Sequence, residues 1–154
     1  HEHLAQRDVD GAGQMALFDE LIVAVVNLPI RKGSTLFDIE ERVGFIEEAT
    51  EGIENVRVEP FDNLVVDFAR ERGARAIVKG LRAISDFEYE FEMNQLNRKL
   101  APEVESIYVM ASPQYSFISS SGIKEMATFG ADVSDLVPGR VTARLQEEVA
   151  RQRT

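Results

Sequence analysis

The residues of this sequence that could bind a phosphate group occur in three short segments, and an apolar run precedes each of them. Arg31 and Lys32 follow the first run, residues 79–82 (Lys-Gly-Leu-Arg) follow the second, and the hydroxyl-rich Tyr115–Ser121 follows the third. Lysine and arginine side chains neutralise phosphate charge, and the N–H groups at the start of a helix bind phosphate oxygens. Together the three segments predict a binding site for an anionic ligand.

Each segment also has an ordinary structural interpretation. Paired cations in a loop are usually solvated, and Ser119–Ser121 could simply cap a helix, since a serine oxygen accepts an unpaired backbone N–H. Alternating glutamates at positions 88, 90 and 92 are typical of a solvated helix edge. His1 and His3 lie near the N-terminus without a supporting carboxylate pattern, so they predict no metal site.

The elements that must position these segments can be recognised from apolar patterns. Leu21–Val26 is an almost unbroken run rich in β-branched residues, which predicts a strand buried on both faces. Shorter strand candidates are Val56–Val58, Ala76–Val78 and Ser106–Ala111. These runs predict four strands.

Helical patterns separate the strands. Asp38 lies three residues before Glu41, which predicts a capping box and a helix through about Thr50. Further helices are predicted at Asn63–Arg72, Ser85–Leu100, Ser121–Phe129 and Thr142–Arg151. Alternating strands and helices indicate an α/β fold with a doubly wound parallel sheet, in which ligands bind beyond the carboxyl ends of the strands.

The predicted helix Ser85–Leu100 carries an unusual set of large apolar residues. Phe87, Tyr89, Phe91 and Met93 are interpreted as core residues. Because they cover more than one face of a helix, they also indicate burial against a second subunit.

Length and composition limit the classes of protein that need to be considered. The chain has 154 residues, 44% of them hydrophobic, which predicts one globular domain over residues 1–154 with an atypical segment at 1–17. The lack of cysteine excludes disulfides and thiolate chemistry, and a net charge of −10 argues against nucleic acid and anionic membranes as partners. No apolar run approaches the roughly 20 residues that span a bilayer, so we expect a cytoplasmic protein.

Several motifs together resemble those of bacterial phosphopantetheine adenylyltransferases. The main ones are residues 78–82 (Val-Lys-Gly-Leu-Arg) and Tyr115–Ser121, followed by Lys124 and Glu125. Supporting segments are Phe18–Glu20, Glu40–Arg42, Leu64–Phe68, Asp86–Glu90, Met93–Asn97 and Gly130–Ser134. The resemblance runs from about Phe18 to the C-terminus.

The resemblance implies a Rossmann-like nucleotidyltransferase that is usually a hexamer. Such an enzyme transfers the adenylyl group of ATP to 4'-phosphopantetheine with Mg²⁺, giving dephospho-coenzyme A and pyrophosphate in coenzyme A synthesis. Coenzyme A itself is then a possible feedback ligand.

The resemblance also assigns site residues. Arg31 and Lys79 match positions that contact substrate phosphate, and the backbone of Val65 matches a contact to the pantetheine arm. The ATP-binding positions are Gly80, Leu81, Arg82, Glu90, Tyr115, Ser116, Phe117, Ile118, Ser119, Ser120 and Ser121. No protein ligand to a metal is implied.

One departure from the family pattern concerns the catalytic residue. The family has a Gly-Thr/Ser-Phe-Asp-Pro turn and a Thr-x-Gly-His motif, and neither occurs in residues 1–17. The resemblance therefore assigns no catalytic residue. An alternative function remains open on these grounds, namely a catalytically impaired relative that binds a nucleotide or coenzyme A.

Overall fold

A computed structural model describes residues 18–27 and 35–152 of the protein. Within these ranges the chain forms four strands and five helices. In chain order they are β1 (Leu21–Val26), α1 (Ile39–Ala49), β2 (Val56–Phe61), α2 (Val65–Glu71), β3 (Ala76–Leu81), α3 (Ile84–Leu100), β4 (Glu105–Met110), α4 (Ser120–Thr128) and α5 (Gly139–Gln152). All four strands and all five helices occur where the sequence predicted them, with shifts of a few residues at their ends.

The chain divides into two compact units. Of the described residues, 18–25, 35–60 and 118–152 belong to the first unit, and 26–27 and 61–117 belong to the second. Within the same ranges the strands pair as two two-stranded sheets, β1 with β2 and β3 with β4.

The sheet of the second unit is parallel. Ala76 lies opposite Glu105 and Leu81 lies opposite Met110, so β3 and β4 end at the same level. The pairing continues for one residue, because the N–H of Ala111 donates to the carbonyl of Leu81 at 2.7 Å. The loops that follow β3 and β4 therefore start next to each other, at the edge where an open α/β fold binds its ligands.

The pairing of β1 with β2 runs in the same direction along both strands. Leu21 donates its N–H to the carbonyl of Asn55 at 2.8 Å, and Asn27 donates to Phe61 at 2.6 Å. Since the residue numbers rise in the same direction along both strands, this pair is parallel as well. Parallel strands joined through helices confirm the predicted α/β class.

The strands are less buried than the apolar runs predicted. Val25 is 3% exposed, but Ala24 is exposed, and in β4 Ile107 is 38% and Met110 is 67% exposed. Side chains alternate between the two faces of a strand. Helix α3 covers the face of β4 that carries Tyr108, whose ring lies 6.4 Å from that of Phe87, whereas Ile107 belongs to the opposite face. The predicted burial of β1 on both faces is therefore wrong at Ala24, and β4 is likewise exposed on the face that carries Ile107.

The first unit has its core where α1, α4 and α5 meet. Its buried residues are Phe45, Ile123, Ala127, Val133, Val137, Val141 and Leu145. Helix α1 begins as predicted, because the Asp38 carboxylate accepts the N–H of Glu41 at 2.8 Å. Arg144 of α5 donates to the Glu41 carboxylate at 2.6 Å, which joins the two helices at their polar rim.

The second unit has a smaller core of Val66, Ala69, Ala101 and Val104. Arg70 on α2 donates to the carbonyl of Leu100 at 2.7 Å and also pairs with Glu103. These contacts fix α2 to the end of α3 and to the turn that leads into β4.

Helix α3 does not bury its aromatic residues within the chain. Phe87, Tyr89 and Phe91 are 46%, 46% and 52% exposed, so the prediction that they belong to the core is wrong. They alternate with glutamates at a period of two, and a helix has a period of 3.6, so they spread around the helix instead of facing β3 together. Their burial against a second subunit stays a prediction. None of the helices in the described ranges is both long and apolar enough to cross a bilayer.

Candidate functional site

The site residues predicted from the sequence fall into three groups in the structure. Arg31 lies outside the described residues. The second unit contains Val65, Lys79, Gly80, Leu81, Arg82, Glu90, Tyr115, Ser116 and Phe117, and the first unit contains Ile118, Ser119, Ser120 and Ser121.

Lys79 points from β3 to α3, where its ammonium nitrogen lies 3.4 Å from a carboxylate oxygen of Glu90. The Glu90 side chain is only 8% exposed, and that of Lys79 is 29% exposed. A carboxylate removed from water needs a positive or hydrogen-bonding partner, and Lys79 supplies it. The expectation that the alternating glutamates form a solvated edge is therefore wrong for Glu90, while Glu88 and Glu92 are exposed.

Tyr108 completes this contact from the neighbouring strand. It lies opposite Lys79 in the β3–β4 register, and its hydroxyl donates to the backbone carbonyl of Glu90 at 3.2 Å. Burial, and next the negative charge of Glu90, raise the pKa of the Tyr108 hydroxyl. The hydroxyl therefore keeps its proton near neutral pH and can donate it to the carbonyl of Glu90.

Arg82, three residues after Lys79, is held by Asp86 in the first turn of α3. Its guanidinium donates to both carboxylate oxygens of Asp86, at 3.1 and 3.3 Å, and its backbone N–H donates at 3.1 Å. Hydrogen bonding from the Arg82 side chain is the main cause that lowers the pKa of Asp86. The two cations at the end of β3 are thus each held by a carboxylate of α3.

The segment after β4 forms a tight turn beside the end of β3. The N–H of Tyr115 donates to the carbonyl of Ser112 at 3.0 Å, and the hydroxyl of Ser116 donates to the carbonyl of Pro113 at 3.0 Å. Phe117 is 69% exposed. A large apolar ring that is exposed in this way is a suitable surface for a flat base to stack on.

Val65 is the first residue of α2 and is half-buried beside the core of the second unit. Its helix directly follows β2, so the backbone of Val65 also lies just beyond the carboxyl end of a parallel strand. This location agrees with the backbone contact that the resemblance assigns to it.

In the first unit, Ser119 is the N-cap of α4. Its hydroxyl accepts the N–H of Gly122 at 3.1 Å and lies 3.3 Å from the hydroxyl of Ser121. Ser120 and Ser121 are the first two helical residues, and both are exposed. The capping interpretation is therefore confirmed for Ser119, and Ser120 and Ser121 lie at the N-terminal end of the helix, which attracts anions.

Two residues of this region were not predicted as site residues. Asp86 could have been found, because it lies four residues after Arg82 at the start of a predicted helix, and this spacing favours an ion pair. Tyr108 could not have been found in this way, because its contact depends on the register between two strands.

Comparison with known proteins identifies the family to which the chain belongs. A family profile described as Cytidylyltransferase-like matches residues 14–126. The chain therefore belongs to this family of nucleotidyltransferases, whose fold is Rossmann-like as predicted.

Three similar proteins within this family have the same name. The chain is 53% identical over 132 residues to the phosphopantetheine adenylyltransferase of Heliobacterium modesticaldum, covering 86% of this chain and 77% of that protein. The enzyme of the same name from Caldanaerobacter subterraneus is 50% identical over 132 residues, which cover 86% of this chain and 81% of the relative. The one from Clostridium novyi is 44% identical over 137 residues, which cover 89% and 84%. The chain is thus a member of the phosphopantetheine adenylyltransferase family, and the resemblance noted in its motifs is confirmed.

Proposed function

We propose that this protein transfers the adenylyl group of ATP to 4'-phosphopantetheine, giving dephospho-coenzyme A and pyrophosphate. The observation that carries the proposal is the identity of 44–53% to enzymes named phosphopantetheine adenylyltransferase over most of their length. The geometry at the end of β3 supports it, because the chain has a net charge of −10 and yet holds two oriented cations there.

The reaction needs few functional groups from the protein. A phosphate oxygen of 4'-phosphopantetheine attacks the α-phosphorus of ATP, and the bond from that phosphorus to the oxygen bridging the α- and β-phosphates breaks. Pyrophosphate leaves with that bridging oxygen and its electron pair. Because the nucleophile is already an anion, no general base is required, and catalysis consists of alignment and stabilisation of the charge on the reacting phosphate.

We assign the acceptor phosphate to Lys79 and Arg31, and the pantetheine arm to the backbone of Val65. Lys79 lies two residues before the end of β3, and its ammonium is a compact charge held 3.4 Å from the Glu90 carboxylate. The planar guanidinium of Arg31 is suited to bind two phosphate oxygens at once. Both assignments follow the resemblance of these positions to the family motifs.

We assign ATP to the residues that follow β3 and β4 and to the start of α4. Gly80, Leu81 and Arg82 follow the family motif at the end of β3, Glu90 is included by the same resemblance, and Tyr115–Phe117 leave the adjacent end of β4. Ser119–Ser121 would bind phosphate oxygens through hydroxyls and helix N–H groups, and Ile118 is included by the resemblance.

Magnesium is proposed as the cofactor, and the described side chains do not form a site for it by themselves. Residues 18–27 and 35–152 contain no group of three or more His, Asp or Glu side chains able to hold a metal ion. Mg²⁺ commonly binds substrate phosphates together with only one or two carboxylates. It would accordingly arrive bound to ATP, where it withdraws charge from the phosphates.

We also propose that the protein is a homohexamer, that coenzyme A is a feedback ligand, and that the protein is cytoplasmic. Large apolar side chains exposed on α3, among them Phe91 and Leu96, support assembly with further copies. Light scattering after gel filtration tests the number of subunits.

The activity is tested by incubating the protein with ATP, Mg²⁺ and 4'-phosphopantetheine and separating the products by liquid chromatography with mass detection.

Lys79→Ala should raise the Kd of 4'-phosphopantetheine about tenfold or more and leave that of ATP nearly unchanged, since a hydrogen bond to a charged group contributes about 1.5–3 kcal/mol. Lys99→Ala is the matched control, because Lys99 is an exposed cation at the other end of α3. Binding of ATP without product, or equal losses for both ligands in Lys79→Ala, would contradict the proposal.

A further inference from the structure

Glu90 differs from the other acidic residues of α3 in its burial. Glu88 and Glu92, two residues to either side, are exposed, whereas Glu90 is 6% exposed. A glutamate is rarely placed in such a position unless its charge is matched. The described partner of its carboxylate is Lys79, at 3.4 Å.

The contact restricts the lysine more than the glutamate. A lysine side chain has four rotatable bonds, and a side chain that is 29% exposed can turn its ammonium to water. Glu90 is already fixed, since it belongs to a helix and its backbone carbonyl accepts the Tyr108 hydroxyl. Tyr108 is also the residue opposite Lys79 on the adjacent strand, so the helix and both strands are joined at one level.

We propose that Glu90 is a positioning residue that fixes the ammonium group of Lys79 where the phosphate of the acceptor substrate binds. This rests on the proposed function, in which Lys79 binds that phosphate. The resemblance places Glu90 with the ATP-binding residues, but its side-chain contact in the structure is to Lys79. The two roles predict different kinetics, since a positioning residue acts through Lys79 alone.

A double-mutant cycle separates these roles. Glu90→Met removes the charge and keeps the length of the side chain, Lys79→Met does the same for the lysine, and the double variant replaces the ion pair by an apolar pair, which proteins often tolerate. Glu90→Gln is the conservative variant, because its amide oxygen can still accept a hydrogen bond from Lys79. Glu92→Gln is the control on the exposed face of the same helix.

We expect Glu90→Met to raise the KM for 4'-phosphopantetheine about tenfold and to leave the KM for ATP within about twofold, as groups in direct contact are strongly coupled. Glu90→Gln should recover part of this loss. The double variant should be no worse than Lys79→Met alone, and Glu92→Gln should match the wild type. Thermal melting of each variant shows that it is folded at the assay temperature.

The positioning role is overturned if Glu90→Met leaves the KM for 4'-phosphopantetheine unchanged, if it raises the KM for ATP as much, or if its effect adds to that of Lys79→Met. Failure of the proposed function gives a different result. In that case the wild type forms no dephospho-coenzyme A, and calorimetry detects no binding of 4'-phosphopantetheine. If the wild type binds 4'-phosphopantetheine without turnover, the four proteins of the cycle are compared by their dissociation constants for 4'-phosphopantetheine and ATP.

Discussion

The start of α4 allows the capping role of its serines to be separated from phosphate binding. Of the three serines, Ser119 caps the helix, through its 3.1 Å contact to the N–H of Gly122. Ser120 and Ser121 are exposed and follow the cap. A Ser119→Ala variant therefore perturbs the helix end, whereas the pair Ser120→Ala and Ser121→Ala removes hydroxyls and keeps the cap.

The two changes should affect stability differently. Loss of a serine N-cap costs about 1 kcal/mol, and for a chain of this length that lowers Tm by about 2–4 °C. Ser119→Ala also loses the 3.3 Å contact to the Ser121 hydroxyl. The Ser120/Ser121 double variant loses only this contact and two exposed hydroxyls, so its stability should stay within about 0.5 kcal/mol of the wild type.

Affinity for ATP should depend on the two exposed hydroxyls of Ser120 and Ser121. A hydroxyl that donates to a phosphate contributes about 1.5–3 kcal/mol. The double variant should therefore bind ATP about tenfold or more weakly, since 1.4 kcal/mol corresponds to a factor of ten. Adenosine has no phosphate for the helix end, so its affinity should not change.

Isothermal titration calorimetry with ATP and with adenosine, together with urea unfolding of the same samples, measures both quantities. The reasoning is refuted if the double variant loses the same factor for ATP and adenosine, because the segment would then hold the base or support the fold. Unchanged ATP affinity in that variant would leave Ser120 and Ser121 without a role in phosphate binding.

Two further predictions concern stability. Hydrogen bonding from the Arg82 side chain is the main cause that lowers the pKa of Asp86, so the contribution of this carboxylate to the free energy of unfolding is fully present above about pH 4 and is lost as the pH falls through its folded-state pKa. Urea unfolding between pH 2 and 6 should show a smaller loss of stability on acidification for Asp86→Asn than for the wild type. Parallel curves for the two proteins would show that the pair contributes nothing. Phe45 is 4% exposed in the first unit, so Phe45→Ala should lower the free energy of unfolding by about 3–5 kcal/mol. Phe129 is 82% exposed, so Phe129→Ala should change it by no more than about 0.5 kcal/mol. Similar losses for both variants would contradict the described core.

The elements were predictable because their signals are local. Leu21–Val26 is a strand with the same bounds in sequence and structure, and the Asp38 cap fixes the start of α1 as its spacing to Glu41 indicated. Parallel pairing followed from the alternation of strands and helices. These features depend on neighbours in the sequence, so the sequence alone carries them.

Burial was less predictable because it depends on what packs against an element. Phe87 and Phe91 are apolar enough for a core, yet both remain about half exposed, and Glu90 between them is buried. No local pattern distinguishes Glu90 from Glu88 and Glu92. The distinction arises from Lys79 and Tyr108, which reach α3 from two adjacent strands.

The candidate site was predictable to the extent that its motifs are contiguous. β3 and β4 end side by side, so the segments that follow them leave the sheet at one edge, where ligand binding is expected. Ligand binding by these segments stays a prediction. The Glu90 carboxylate was not predicted as the partner of Lys79, because an ion pair across elements requires the packing of a helix on a sheet.

Transfer of the adenylyl group of ATP to a phosphate oxygen can be followed by the fate of labelled phosphorus. Purified protein is incubated with 4'-phosphopantetheine, Mg²⁺ and ATP labelled at either the α- or the γ-phosphorus. The α-label should appear in dephospho-coenzyme A and the γ-label in pyrophosphate, in equal amounts. Label from the γ-position in the pantetheine product, or release of AMP without dephospho-coenzyme A, would contradict it.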